Sequence, residues 1–303
     1  MSGTPQVTSA DLFQQMKEIE DPEEKKSFGE SVNTLKQELA EQLPQESTED
    51  QDKAAFNIAP PSLDQLQMEM GHISPVTATI FHLQELFENL GFSVATGPEL
   101  EEEKYNFDAL NIPDNHPARD VWDTIWVTTE EGQKNLLRTH TSPTQIRYME
   151  QHKPPIRMIV PGKVYRYEAT DATHETAFHQ VEGLMIDTNT SIATFKGVMQ
   201  EVFSRLFKQS VDIRLRPSYF PFTEPSFEID IKFEGDWLEI AGAGMVHPNV
   251  LKAGGIEDEA IQGFAFGMGV ERLVMLLTGL NDIRYIHSGD LRFAHQFGLK
   301  RTK

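Results

Sequence analysis

The sequence predicts an α+β fold, a largely antiparallel sheet flanked by helices and preceded by a short N-terminal helical, coiled-coil-like arm. Three observations predict it. Strand-like runs cluster in sequence, with helices between the clusters rather than in strict alternation, the pattern of an α+β chain. Phe227, Ile229, Ile231 and Phe233 alternate with Glu228, Asp230, Lys232 and Glu234, as in a sheet with one wet face. The first 60 residues differ from the rest: Asp11 to Lys53 holds thirteen acids against five lysines.

Along the arm, Asp11 to Ile19 and Glu30 to Leu43 read as helices, with Val32, Leu35, Leu39 and Leu43 at helical spacing. Pro44 stops the second helix, and a polar stretch then leads to the extended Ala59-Pro60-Pro61. Two amphipathic helices in a hairpin and a disordered acidic tail are both compatible with this composition. The expected division is an acidic helical arm and linker over 1–60 and a catalytic-sized domain over 61–303. From Ser74, an N-cap followed by Pro75, a helix is expected with Val76, Ile80, Leu83, Phe87 and Leu90 inward and Gly91 as its stop. Phe92 to Ala95 reads as a strand, and Tyr105 to Pro117 as irregular. Trp122 to Thr128 and Asn135 to Thr139 read as strands about a turn at Glu131-Gly132. Ser142-Pro143 opens a helix over Thr144 to His152. Ile192 to Leu206 is a helix with Ile192, Phe195, Val198, Met199, Val202 and Leu206 inward. Ile213 to Pro217, Phe227 to Phe233, Trp237 to Gly244 and Gly263 to Gly269 are strands, and Val270 to Leu277 is a helix. No internal repeat is present.

The 303 residues are enough for one large domain with an appendage. No run of eighteen apolar residues exists, so no membrane span is expected. The N-terminus lacks the basic and apolar regions of a secretory signal. Zero cysteines exclude disulfides, thiolate zinc sites and cysteine nucleophiles. A cytoplasmic protein is expected. A net charge of −20 argues against wrapping nucleic acid by bulk electrostatics, though not against a local basic patch or a partner that supplies charge.

The most informative stretch is Gly162 to Asp187. Val164 to Tyr167 and Phe178 to Ile186 read as two strands of a hairpin joined by a polar loop, Ala169 to Ala177. Alternation puts Arg166 with Glu168 on one face, and Phe178, Gln180 and Glu182 on one face of the returning strand. Such a face is costly to bury dry, so it is either solvated or filled by a ligand; alternation leaves both readings open. The strand Gly263 to Gly269 runs into a helix that carries Arg272 in its first turn. Glycines permit close backbone approach, and a helix start with a guanidinium favours anions. Glycines that merely let the helix pack, with Arg272 in a surface ion pair, are the plainer account from the residues alone. In Phe220-Pro-Phe-Thr-Glu-Pro225, Phe220, Phe222 and Glu224 share one side of an extended segment, so two rings form either an aromatic slot or ordinary core. His140 and Ser142 sit at the rim of Arg138 to Ser142, with Ser142 read first as an N-cap. Other chemistries fail: His174-Glu175 has Phe178 where a zinc-protease helix needs its second histidine, and no GxSxG, Walker or GxGxxG element is present.

Four separated blocks make the chain recognisable together: Ala118 to Gln145, the hairpin YRYEATDATHE–FHQVEG, FPFTEPS, and GFAFGMGVER. In this order they resemble the α subunit of bacterial phenylalanyl-tRNA synthetase, a class II aminoacyl-tRNA synthetase. The resemblance runs from about Gly71 to the C-terminus, and more weakly over Phe28 to Leu43. It implies the class II antiparallel sheet, with the helix from Ser74 and the strand after it at motif 1, usually a subunit interface. It implies ATP-dependent formation of phenylalanyl-adenylate and transfer to tRNA(Phe). It gives Arg166 the α-phosphate and the attacking carboxylate, Glu168 the adenine amino group, Phe178 adenine stacking and His174 the distal phosphates. Arg272 takes the γ-phosphate over a floor that includes Gly267 and Gly269. His140, Ser142, Gln145, Gln180 and Glu182 hold the ammonium and carboxylate of phenylalanine, Phe220 and Phe222 its ring, and Ala265 the floor of that slot. Glu224 matches a Mg²⁺ ligand at the β-subunit boundary. The chain ends soon after motif 3, without the anticodon-binding extension of the monomeric mitochondrial enzyme. The resemblance therefore implies an (αβ)₂ heterotetramer with editing in the β subunit. The arm is unusually short and acidic for a tRNA contact, and Ser74 stands where the family is expected to carry His. A noncatalytic paralogue sensing phenylalanine or ATP, and an amino-acid:AMP ligase with another acceptor, are the alternatives.

Overall fold

A computed structural model describes residues 73–297, apart from 115–123, 129–131, 133 and 168. All of these belong to the compact unit Pro60–Lys303. The two arm helices, the linker, part of the Ala118 block and Glu168 lie outside the described residues.

Seven strands form one sheet in the order β1-β5-β6-β10-β9-β8-β7. They are β1 (Ser93–Val94), β5 (Ile156–Tyr165), β6 (Ala177–Asp187), β7 (Ile213–Phe220), β8 (Thr223–Phe233), β9 (Asp236–Val246) and β10 (Gln262–Gly269). Every pairing is antiparallel except β1 with β5. A small second sheet holds β2 (Leu100–Glu102), β4 (Lys134–Leu137) and β3 (Trp126–Thr128). The α+β expectation stands.

The main core lies on one face of the large sheet. Helices α1 (Pro75–Glu88), α4 (Ile192–Leu206) and α6 (Val270–Thr278) bring Leu83, Phe87, Phe195, Phe203, Leu273 and Val274 against Val181, Ile229, Ile231, Phe264 and Phe266. The helical spacing read from the sequence is the stripe that packs here. Ile192 is the exception; at the first turn of α4 it stays 39% exposed. Gly183 is required at the centre, because a Cβ would fall 2.2 Å from the Phe266 ring, itself stacked on Phe87.

The opposite face carries a separate core. A second core collects Leu110, Ile112, Leu136, Ile146, Met158, Leu184, Ile186, Val250 and Leu251. Its covering elements are a 3₁₀ turn (Asp108–Leu110), α3 (Pro143–Gln151) and α5 (Pro248–Ala253). Beyond this core the rows of the same face carry glycines and polar side chains, among them Gln180, Glu182, Gly242, Gly267 and Gly269.

Several expectations need correction. The segment expected to be irregular, Tyr105 to Pro117, begins within the short helix α2 (Glu103–Asn106) and holds the 3₁₀ turn. The hairpin strand is longer than read, because Pro161-Gly162 does not break it. Ile159 and Lys163 direct their carbonyls, and Tyr165 its N–H, away from β6, toward Ala95, Arg138 Nε and the Arg138 carbonyl. Pro161 shares that outward side, so its missing N–H costs no ladder bond. Its far end also differs: β5 ends at Tyr165, one residue before Arg166. Finally, the wet face of β8 is not uniformly wet. Asp230 is 2% exposed, roofed by Arg214 and Arg216 at 2.6 and 2.7 Å. Those guanidiniums hold its carboxyl below the usual range despite burial. Two further short helices, α7 (Arg284–His287) and α8 (Leu291–Gln296), follow α6.

Candidate active site

The open rows are aligned by strand register. Glu182 of β6 stands beside Gly267 of β10, which stands beside Gly242 of β9; one step along, Gln180 stands beside Gly269. Alternation along β6 puts Phe178, Gln180 and Glu182 on this face, as the period of two requires. Gly267 and Gly269 keep the neighbouring row low. At Gly269 a Cβ would meet nothing within 4 Å, so the space above it is open.

Glu182 is buried and is the hub of the site. One carboxylate oxygen accepts the Thr141 N–H at 2.9 Å, and the other accepts the Ser142 hydroxyl at 2.5 Å and Gln145 Nε2 at 3.0 Å. Burial pushes its carboxyl up, and these donors with Arg138 and Arg166 oppose the shift only in part. Ser142 precedes α3 but makes no side-chain cap there; its hydroxyl is spent on Glu182, which corrects the N-cap reading. Next to this hub, the Gln180 side-chain oxygen is buried and accepts no hydrogen bond among the described residues. A buried carbonyl oxygen in that state calls for a donor from a ligand or water.

The loop 138–142 is fixed by its surroundings. Arg138, 3% exposed, donates to the carbonyls of Lys163, Gly97 and Pro98. Asn106 and Thr139 hold each other through side chain and backbone at 3.0 and 3.3 Å, and Thr141 donates to the Val160 carbonyl. His140 is buried beside Phe222, with ring centroids 6.2 Å apart. Burial first, then Arg166, pushes its imidazole down to about 3, so it is neutral in ordinary conditions.

Phe220 and Phe222 stack at 5.8 Å with an interplanar angle of 9°. They do not lie on an extended segment. Phe220 ends β7, Thr223 begins β8 and pairs with it, and Pro221-Phe222 is the turn between. Proline at the first corner favours this turn. Phe220 lies over Gly242, where a Cβ would come within 2.9 Å of the ring. Ala265, on the same face of β10, is partly buried and packs, like Phe222, against the second core. Phe220, over Gly242, thus lies on the row of the sheet that continues through Gly267 to Glu182, with Gln180 the next residue on the same face of β6.

The second half of the site faces the hairpin loop. Arg166 donates Nε to the Thr139 carbonyl at 3.3 Å, and its guanidinium lies 5.2 Å from the Phe178 ring centre. Arg272, exposed in the first turn of α6, donates Nε to the Glu239 carbonyl at 2.8 Å. This bond orients the side chain, and among the described residues Arg272 forms no surface ion pair, the plainer expectation. In the loop, Asp171 accepts the N–H groups of Thr173 and His174 at 2.6 and 2.8 Å and pairs with His174 Nδ1 at 3.0 Å. The Thr173 N–H first, then His174, holds the Asp171 carboxyl well below the usual range. His174 is thereby held at an exposed loop tip.

Glu224 is set apart. Its side chain is 74% exposed, and His247 Nε2 lies 3.4 Å away. No group of three or more His, Asp or Glu side chains suited to a metal occurs among the described residues. Among the described residues, Glu224 stands here as a single exposed carboxylate beside His247.

Sequence reasoning missed Asn106, Thr139, Thr141 and Arg138 as site supports. Arg138, Thr139 and Thr141 flank the His140 and Ser142 that were singled out, so proximity was the available signal. Asn106 carries none, since its role arises from tertiary contact.

An antiparallel sheet with a glycine-floored open face, an arginine at its hairpin end and another at a helix start defines a class II tRNA synthetase catalytic core. A family model described as "tRNA synthetases class II core domain (F)" matches residues 58–297. Phenylalanine--tRNA ligase alpha subunits are among the proteins similar to it. That of Idiomarina loihiensis is 48% identical, over 91% of this chain and 85% of its own; that of Allorhizobium ampelinum is 44% identical, over 92% and 83%. The chain belongs to the phenylalanine–tRNA ligase alpha-subunit family. Among solved structures, pyrrolysyl-tRNA synthetase from Desulfitobacterium hafniense superposes with a TM-score of 0.58 at 20% identity, over 74% of this chain and 76% of its own. That likeness concerns the fold.

Proposed function

We propose that this chain is the catalytic subunit of a phenylalanine–tRNA ligase (EC 6.1.1.20). It forms phenylalanyl-adenylate from phenylalanine and ATP, then passes the phenylalanyl group to tRNA(Phe). The observation that supports the reading is the stacked pair Phe220 and Phe222, with Phe220 over Gly242, on the same row of the sheet as Glu182 and beside the unsatisfied Gln180 oxygen. A ring fills the slot, and an ammonium satisfies Gln180 beside the Glu182 charge. His140, Ser142 and Gln145 complete this end, and Ala265 sets the slot's depth. In the first step the phenylalanine carboxylate oxygen attacks the α-phosphorus and pyrophosphate leaves; in the second, a terminal ribose hydroxyl displaces AMP. No side-chain base is required for adenylation, because positioning and charge stabilisation suffice. Arg166 grips the α-phosphate and the attacking carboxylate, while Phe178 stacks on the base that Glu168 reads. Arg272 holds the γ-phosphate above Gly267 and Gly269, and His174 reaches the distal phosphates.

Magnesium accompanies ATP and neutralises phosphate charge; Glu224 would be one ligand on this chain. A β subunit completes an (αβ)₂ assembly and carries editing. The division into a 1–60 arm and a 61–303 catalytic domain, and a cytoplasmic location, belong to the same reading. No helix among the described residues is long and apolar enough to cross a membrane.

The chain co-expressed with a β subunit should show phenylalanine-dependent pyrophosphate exchange and charge tRNA(Phe). Exchange without charging would indicate another acceptor; no exchange at all would indicate a sensor.

A further inference from the structure

Neither substrate uses the buried carboxylate at the start of α6. Glu271 is 2% exposed. Its two oxygens accept the His179 backbone N–H at 3.0 and 2.9 Å, and His179 Nδ1 lies 2.7 Å from one of them. His287 Nε2 of α7 lies 3.6 Å from the same oxygen.

The strand ladder explains why a carboxylate is there. β10 pairs with β6 as far as Gly269 opposite Gln180. The next partner of His179 would be Val270, but Val270 already begins α6. The His179 N–H therefore points at a place the strand has left, and Glu271 supplies the acceptor the ladder lacks. A buried N–H without an acceptor, or a buried carboxylate without donors, is unfavourable; here each answers the other.

The position of this contact gives it a consequence. His179 lies between Phe178 and Gln180, and Glu271 immediately precedes Arg272. We propose that Glu271 is a positioning residue that sets the distance between Phe178 on β6 and Arg272 on α6, so that both ends of one nucleotide are gripped together. His287 extends the contact to α7, whose preceding residue Ile283 donates its N–H to the Ala172 carbonyl at 2.9 Å. The segment after α6 is thereby joined both to Glu271 and to the loop that carries His174. Glu271 touches no reacting atom; it acts through its neighbours. The inference rests on the reading that Phe178 and Arg272 bind ATP.

The test uses the complex with its β subunit and the variants Glu271→Ala and Glu271→Gln. Alanine removes the acceptor, whereas glutamine keeps one oxygen for the His179 N–H. In phenylalanine-dependent pyrophosphate exchange, Glu271→Ala should raise the KM for ATP about tenfold or more with the phenylalanine KM within about twofold. Glu271→Gln should recover most of the loss, leaving a rise in ATP KM of about two- to fivefold. If the alanine variant does not assemble, that selective rise in the glutamine variant carries the test. An unchanged ATP KM, or equal rises in both KM values, overturns the proposal. Arg272→Ala separates the two layers. If Arg272→Ala loses exchange while the Glu271 variants behave as wild type, only the positioning role falls. If Arg272→Ala exchanges normally, the nucleotide reading fails and takes this inference with it.

Discussion

Replacing Glu182 with glutamine should move stability and activity in opposite directions. The carboxylate is buried and its pKa is raised, so folding favours the protonated form. A carboxyl whose folded pKa lies above its unfolded value weakens the fold once pH exceeds the unfolded pKa, and neutral pH is well above it. Glutamine is nearly isosteric and carries no charge to desolvate. Its oxygen can keep the Thr141 N–H now held at 2.9 Å. Its NH₂ would replace the oxygen that accepts from Ser142 and Gln145; the hydroxyl can turn to accept, and the Gln145 amide can flip. The melting temperature should therefore stay level or rise. The phenylalanine ammonium, by contrast, loses its charged neighbour. A charge-assisted hydrogen bond contributes about 1.5–3 kcal/mol, so the KM for phenylalanine should rise roughly 10- to 150-fold. The assay is pyrophosphate exchange by the αβ complex with phenylalanine varied at saturating ATP, alongside thermal unfolding of the same preparation. A Glu182→Gln complex with an unchanged phenylalanine KM would refute the ammonium role. A large loss of stability would refute the account of the buried charge.

Further predictions concern the slot and its rim. Ala265→Gly deepens the slot floor, so the discrimination between phenylalanine and a para-halogenated analogue, read as a ratio of kcat/KM, should narrow about tenfold or more. Gly242→Ala places a Cβ against the Phe220 ring, now 2.9 Å from that point; displacing the ring should raise the phenylalanine KM about tenfold, ~1.4 kcal/mol, with the ATP KM unchanged. His140 is held neutral until about pH 3, whereas the unfolded chain protonates it near 6.5. The unfolded state thus binds the extra proton between those values, and stability should fall as pH drops from 6.5, by roughly 2 kcal/mol at pH 5 from this group. In denaturant titrations His140→Asn should flatten that part of the pH profile, and a profile identical to wild type would contradict the assignment.

Local periodicity carried much of the fold. The Gly263 to Gly269 run alternates small residues with Phe264, Phe266 and Met268, and the structure puts the large ones in the core and the small ones under the site. The helix Ile192 to Leu206 was legible for the same reason, since its apolar spacing is the packed stripe. Where a tertiary partner decides the outcome, local pattern fails. The strand read from Val164 starts eight residues earlier, because Pro161 sits on the outward side of β5, where no ladder bond is needed. Asp230 reads as a wet-face acid but is buried by Arg214 and Arg216 from the neighbouring strand. The candidate site divides along the same line. Phe178, Gln180 and Glu182 share a face by strand period alone. That Ser142 gives its hydroxyl to Glu182, forty residues away, depends on the 138–142 loop meeting strand β6 in space. Neither Glu271 nor His179 carried a local signal, because their contact arises where a strand gives way to a helix.

Phosphate capture at the glycine floor is the central step, and exchange by the intact complex against Arg272→Ala tests it most directly. Arg272 is exposed and donates only Nε to the Glu239 carbonyl among the described residues, so its removal should leave the fold intact. Phenylalanine-dependent pyrophosphate exchange should occur in the wild-type complex and fall by about 100-fold or more in Arg272→Ala. Exchange at the wild-type rate in the variant, or exchange in the wild-type complex that does not depend on phenylalanine, would contradict it.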